Sequence, residues 1–167
     1  LKFLARAAEH DPAAFHHVTV VRNLKGLARV LLYQKDLTGG DFRSLYDAYE
    51  RDNREGVTEF VRAQAEGTWA DREQLDRQID AAAEGWSAER MAVLERNILR
   101  LAVWEIGRGE VPVAVAIDEA VSLAKRYASP EAATLVNGVL EESPASRGSD
   151  GDQTRLQDVA AELERLR

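Results

Sequence analysis

The chain is 167 residues long, carries 22 Lys and Arg against 29 Asp and Glu for a net charge of −7, and has no Cys. That composition excludes disulfide scaffolds, Cys-ligated zinc, iron–sulfur clusters and cysteine nucleophiles. It also excludes a protein that coats nucleic acid by bulk positive charge, while length and apolar content suit one ordinary domain.

The first 21 residues read as an N-terminal extension: a short helix-like piece carrying Lys2 and Arg6, a break at Asp11-Pro12, then Phe15-His16-His17 and the strand-like Val18-Thr19-Val20-Val21. Nothing in it reads as a signal peptide, and no apolar run reaches the roughly 18–20 residues that a membrane span needs. A cytoplasmic protein is expected. Leu rather than Met at position 1 leaves open whether the sequence is a fragment or a processed chain.

From there helical periodicity dominates, and it predicts helices over 23–37, 41–51, 54–66, 70–83, 87–107, 113–127 and 130–141. Thr38-Gly39-Gly40 stops the first, and Asp41 caps the second. Ser87 is an N-cap candidate, Gly107 and Gly109 end the longest helix, and Pro112 stands where the next begins. Ser129-Pro130 pairs an N-cap with proline at the first helical position. Residues 92–106 are apolar around most of the circumference, as a central buried helix is. Residues 113–127 carry a narrower stripe, Ile117, Ala120, Val121 and Ala124, expected to pack on it. Gly138 lies in a helical pattern, where it predicts a close helix crossing. Residues 142–154 have linker composition, and after them Leu156, Val159, Leu163 and Leu166 mark a short C-terminal helix over 155–167, either docked or facing a partner. The expected architecture is all-α, a compact helical bundle of about seven helices, with its main domain over 22–141.

Enzyme signatures are missing: no Gly-x-x-x-x-Gly-Lys loop, no Gly-x-Gly-x-x-Gly after a strand, no His-Glu-x-x-His and no Gly-x-Ser-x-Gly. The three His fall between positions 10 and 17 and read better as a plain surface stretch than as a metal site; no metal, cofactor or catalytic residue is assigned. Glu73, Asp76 and Asp80 recur at helical spacing, which fits a solvated helix face beside Arg72 and Arg77 better than paired catalytic carboxylates. The first main helix is more informative. On a helical wheel Arg22, Lys25, Arg29 and Tyr33 fall within about 80° of one another, opposite Leu24, Leu27, Ala28 and Leu31. Arg22 through Lys35 holds four cations and no acid, so taking those four charges out of −7 leaves the rest of the chain at −11. Cations beside a ring are what single-stranded RNA uses, for phosphates and for an unstacked base. Equally, three exposed cations are ordinary and Tyr33 can simply cover the edge of a core.

Five stretches then occur in order: Leu27-Ala28-Arg29-Val30-Leu31-Leu32-Tyr33-Gln34-Lys35-Asp36-Leu37-Thr38-Gly39; Gly85-Trp86-Ser87 with Glu89-Arg90; Glu95-Arg96-Asn97-Ile98-Leu99-Arg100-Leu101-Ala102-Val103-Trp104-Glu105-Ile106; Val111-Pro112 with Val115 through Lys125; and Leu135-Val136-Asn137-Gly138-Val139-Leu140. Together they resemble the NusB family of transcription antitermination factors over about residues 22–141. The resemblance implies an all-helical, non-enzymatic protein that binds the boxA element of nascent ribosomal RNA together with NusE, a small-subunit ribosomal protein, and helps RNA polymerase read through terminators. The family's arginine-rich stretch maps onto Arg22 and Lys25, and its tyrosine onto Tyr33. Glu89 and Glu95 fall where acidic residues of the family meet NusE, which suits a basic partner.

The departures bear on affinity. Arg22-Asn23-Leu24-Lys25 is less densely basic than the family's run, and Glu131-Ala132-Ala133-Thr134-Leu135 stands where Asp-Ser-x-Lys-Phe is frequent, so a basic and an aromatic RNA contact are not carried over. Asp118 replaces a frequent Asn. Two other readings fit the same residues: the NusB-like RNA-binding N-terminal domain of a ribosomal RNA cytosine methyltransferase, and a relative that binds protein only.

Overall fold

The computed structural model describes residues 24–53, 56–109 and 111–147, with side chains in the first helix from Gly26 onward. The readings for residues 1–21, Arg22 and the 155–167 helix lie outside the described residues. Helix α1 spans Leu24–Thr38, α2 Phe42–Asn53, α3 Glu59–Ala70 and α4 Arg72–Ala82; a 3-10 turn covers Ala88–Arg90; α5 spans Val93–Arg108, α6 Val113–Tyr127 and α7 Pro130–Glu142. The described residues form no strand. The chain divides into a unit ending at Glu66 and a unit beginning at Gly67.

In the first unit α1 packs on α2. Gly39 takes a positive φ of 66° and ends α1 as expected, its N–H donating to Lys35 O at 2.9 Å. The Lys35 ammonium, 2.6 Å from Gly40 O and 5.5 Å from the centre of the Phe42 ring, ties this corner together. Asp41 caps α2 by accepting from the Ser44 N–H at 2.9 Å and its hydroxyl at 2.8 Å. These bonds to the ionised carboxylate, backbone first, hold the Asp41 pKa below its ordinary value. The helix expected over 54–66 instead starts at Glu59. The reason is local: Glu50 Oε1 accepts from the Val57 N–H at 2.9 Å and from Arg62 at 3.2 Å, while Arg62 Nε donates to Val57 O at 3.1 Å. Val57 is thereby tied to Glu50 and Arg62 outside the helix. Arg62 also lies 4.5 Å over the Tyr46 ring, whose hydroxyl donates to Glu66 at 2.8 Å.

In the second unit α5 is the axis, packed by α4, α6 and α7. Every residue from Asn97 to Ile106 is buried, as the all-round apolar pattern predicts. Gly109, at φ 67°, caps its C-terminus with an N–H bond to Ile106 O at 3.0 Å. Helix α6 buries Ala116, Ala120 and Ala124 at four-residue spacing, with Ile117 and Val121 only half-buried, so the contact stripe is narrower than expected and made of alanine. Small side chains let α6 and α7 approach closely. Ser129 caps α7 by accepting from the Ala132 N–H at 3.0 Å, with Pro130 in the first turn.

Four expectations are corrected in this unit. The helix drawn over 87–107 splits, because the Asp80 carboxylate takes the Ala88 N–H at 2.6 Å and sets a 3-10 turn; Met91 follows in an extended conformation, buried, and α5 starts only at Val93. Ser87 makes no side-chain cap. Gly138 is no close crossing: it is exposed, and a Cβ there meets nothing within 4 Å. The residue with that role is Gly67 in α3, where a Cβ would lie 2.5 Å from Trp104 Cζ2. Finally, the linker read over 142–154 does not begin at 142. A helical turn covers 144–147, and buried Ser143 and Ser146 bond to each other, with Ser146 Oγ 2.6 Å from Leu140 O.

Candidate nucleic-acid and partner-binding surfaces

The basic segment of α1 is thinner at the surface than the helical wheel predicts. Lys25 falls in the first turn of α1, and its side chain, like the whole of Arg22, lies outside the described residues. Arg29 is 4% exposed, so the outward-facing reading is corrected for this residue. The cause is Leu32, fully buried and about 60° from Arg29 around the helix, which extends the enclosed arc past Leu27, Ala28 and Leu31. Tyr33 is half-buried, and burial raises its phenol pKa. It presents a partly open ring and a neutral hydroxyl. Lys35 is half-buried on Gly40 and Phe42, so it serves the α1–α2 corner.

The acidic surface belongs to the second unit. Glu89 is exposed in the 3-10 turn, and Glu95 is half-buried in the first turn of α5, where the helix dipole favours a carboxylate. Asp80, by fixing Ala88, fixes the turn that presents Glu89. Trp86, just before the turn, is 52% exposed.

The three acids of α4 separate into different roles. Asp76 receives two bonds from Arg100, Nε to Oδ1 at 2.7 Å and Nη2 to Oδ2 at 2.6 Å, a bidentate pair that gives the buried guanidinium its counter-charge. Asp80 holds the 3-10 turn, and Glu73 lies 3.6 Å from Arg72 at the surface. The solvated-face reading is therefore corrected for Asp76, which is partly enclosed against Arg100, whereas Asp80 stays exposed and uses one carboxylate oxygen to hold the turn. The helical spacing marks all three acids, but Arg100 and Ala88, the partners that decide the roles, come from segments that spacing along α4 does not reach. Among the described residues no group of His, Asp or Glu is arranged to hold a metal ion, and no helix is long and apolar enough to cross a membrane.

The architecture defines the class: an all-α protein built on a buried central helix, with Asp76 and Asp80 of α4 engaged in structural bonds. The chain belongs to the NusB family, whose model matches residues 22–143. The transcription antitermination protein NusB of Desulfitobacterium hafniense is 37% identical over 136 residues, covering 77% of this chain and 92% of that protein. Among solved structures, T. maritima NusB aligns with a TM-score of 0.66 at 27% identity over 75% of this chain and 89% of that one. A chain from a structure of the antitermination factors NusB and NusE in complex with dsRNA aligns with a TM-score of 0.64 at 25% identity, over 75% of this chain and 94% of that one.

Proposed function

We propose that this NusB-family antitermination factor binds boxA-type single-stranded RNA jointly with NusE during ribosomal RNA transcription, as an adaptor in the RNA polymerase antitermination complex. The reading is supported by the likeness to a chain from a structure of NusB and NusE in complex with double-stranded RNA, which covers 75% of this chain; that the RNA bound here is single-stranded boxA is part of the proposal. Arg22 and Lys25 supply phosphate contacts and Tyr33 a ring for an unstacked base. Arg29 has no part in this interface, since its guanidinium is enclosed. Glu89 and Glu95 face the basic ribosomal protein, where complementary charge speeds encounter and fixes register. NusE supplies much of the RNA-binding surface, so a weak site on this chain becomes adequate through effective concentration. Such a factor acts on nascent transcripts, in the cytoplasm, and has no catalytic step. That the Desulfitobacterium relative is matched over 92% of its own length favours this reading over a methyltransferase domain.

The test is binding of boxA RNA to this chain with and without NusE at two salt concentrations. Weak, salt-sensitive binding alone and tighter binding with NusE are expected. Binding of NusE without any RNA capture would leave the protein-only relative standing, and no RNA binding in either condition would sink the adaptor reading.

A further inference from the structure

Trp86 stands apart from the other two tryptophans. Trp104 is 8% exposed, its indole N–H donating to Asp71 at 3.2 Å, and Trp69 is half-buried beneath the guanidinium of Arg72. Trp86 is 52% exposed, the most exposed aromatic side chain among the described residues, on a segment that is held without help from its indole. Gly85 takes the turn at φ 74°, a left-handed conformation that suits glycine, and the Trp86 N–H donates to Ala83 O at 3.0 Å. Two residues on, the Ala88 N–H is fixed to Asp80 at 2.6 Å, and Ala88 itself is buried. One end of the loop is thus fixed by a backbone bond to Ala83, the residue that follows α4, and the other by a bond to the Asp80 side chain of α4, and the ring is displayed from a preorganised support. Its surroundings in the chain are acidic and solvent-facing: Glu84 precedes it by two residues and Glu89 follows by three, both exposed. Arg90 is the one basic residue in that stretch.

We propose that Trp86 is the anchor of the protein-partner contact, its exposed indole face receiving an arginine or lysine side chain of the basic partner while Glu84 and Glu89 supply the matching negative charge. Tryptophan is the best cation-π acceptor among the aromatic residues and is enriched where a few side chains carry most of the binding energy. A loop already ordered in the free protein loses little freedom on docking, so the contact is not eroded by an ordering cost. The inference rests on the NusE reading and adds to it the residue and the chemistry at the centre of the contact.

The experiment is calorimetric titration of NusE into the wild-type chain and into the Trp86→Ala, Trp86→Phe and Val115→Ala variants, with unfolding midpoints measured for each. Val115, exposed on α6, controls for loss of any exposed apolar side chain. Trp86→Ala is expected to keep its unfolding midpoint and to weaken NusE binding about tenfold or more, Trp86→Phe to weaken it less, and Val115→Ala to bind as the wild type does. A second measurement needs no variant to fold: with 5-fluorotryptophan in this chain, unlabelled NusE is expected to shift the fluorine resonance of Trp86 and leave that of Trp104 in place. Wild-type binding to NusE combined with unaltered affinity in Trp86→Ala, or with an unmoved Trp86 resonance, overturns the anchor while the NusE reading stands. Failure of the wild-type chain itself to bind NusE overturns the NusE reading and the anchor with it.

Discussion

Gly67→Ala separates helix propensity from packing, because the two predict opposite signs. Gly67 lies inside α3, and in an unencumbered helix interior alanine is favoured over glycine by about 1 kcal/mol. A Cβ at this position, however, would sit 2.5 Å from Trp104 Cζ2 and 3.0 Å from Cε2. Both are ring atoms, so no flexible side-chain end can give way. The indole is also held on two sides, by its N–H bond to Asp71 at 3.2 Å and by the Arg108 guanidinium 4.8 Å over the ring. Relieving the overlap means displacing the ring. Overpacking of this kind costs about 1–3 kcal/mol, and losing the Asp71 bond adds about 0.5–1.5 kcal/mol. Against the propensity gain, the net expectation is a loss of about 1–3 kcal/mol, or a fall of about 2–12 °C in Tm for a chain of this size. Urea unfolding followed by circular dichroism measures it. Pairing Gly67→Ala with Trp104→Leu should show strong coupling, since the second change removes the clash. A Gly67→Ala variant as stable as wild type, or more stable, would refute the close-approach argument.

The Asp76–Arg100 pair gives a larger effect. Asp76→Ala removes the bidentate counter-charge from a guanidinium whose side chain is only 7% exposed, so a loss of about 2–4 kcal/mol in denaturant unfolding is expected, with less for Asp76→Asn. Tyr46 sets an alkaline limit. Burial first, then the bond to Glu66 and its charge, hold the phenol pKa well above its ordinary value. The folded-state pKa is thus raised above the unfolded one, so the stabilisation is complete below about pH 10 and declines as pH rises toward the folded value. Tyr46→Phe is expected to flatten that decline and to cost about 1 kcal/mol near neutrality through the lost bond, both read from unfolding across pH. Ser129→Ala removes the α7 cap and should cost about 1 kcal/mol by the same assay.

The fold was legible where one residue's own chemistry decides. Gly39, Asp41, Gly109 and Ser129-Pro130 mark their helix ends in the sequence and do so in the structure, because each acts within four residues. The central helix was legible for a related reason, since its apolar circumference is a property of one segment. What escaped depends on a distant partner. Gly67 follows the end expected for the third helix at 66, yet α3 runs on to Ala70 with Gly67 against Trp104, and Asp76 resembles a solvated acid until Arg100 meets it from 24 residues away. Asp80 breaks the 87–107 helix through a bond to Ala88 that no local pattern announces. The α1 surface failed at one position for a similar reason. A wheel ranks Arg29 by its angle to other cations, whereas burial is set by the apolar neighbour Leu32, which widens the enclosed arc. For the turn around Glu89 the structure adds that Glu89 and Trp86, neighbours in one short motif, are both exposed.

Salt dependence turns that difference at α1 into a count of phosphate contacts. If all four cations from Arg22 to Lys35 met phosphates, the single-strand slope of about −0.7 per contact would give a log–log slope of about −2.8, and affinity would fall about 50-fold between 50 and 200 mM salt. The structure removes two of the four: Arg29 is enclosed, and Lys35 is bonded to Gly40 O. Arg22 and Lys25 alone give a slope of about −1.4 and a fall of about sevenfold over the same range. Fluorescence anisotropy of a labelled boxA RNA, titrated with the chain alone at several salt concentrations, distinguishes these slopes. Lys25→Ala should bring the slope to about −0.7, whereas Arg29→Ala should lower unfolding stability by about 1–3 kcal/mol and leave the slope unchanged. A slope near −2.8, or one that Arg29→Ala flattens, would mean that Arg29 leaves its enclosed position to reach RNA. A slope near −1.4 would support the proposed joint binding of RNA: two phosphate contacts on a chain of net charge −7 give little affinity of their own, so under that proposal the rest must come from the partner through effective concentration.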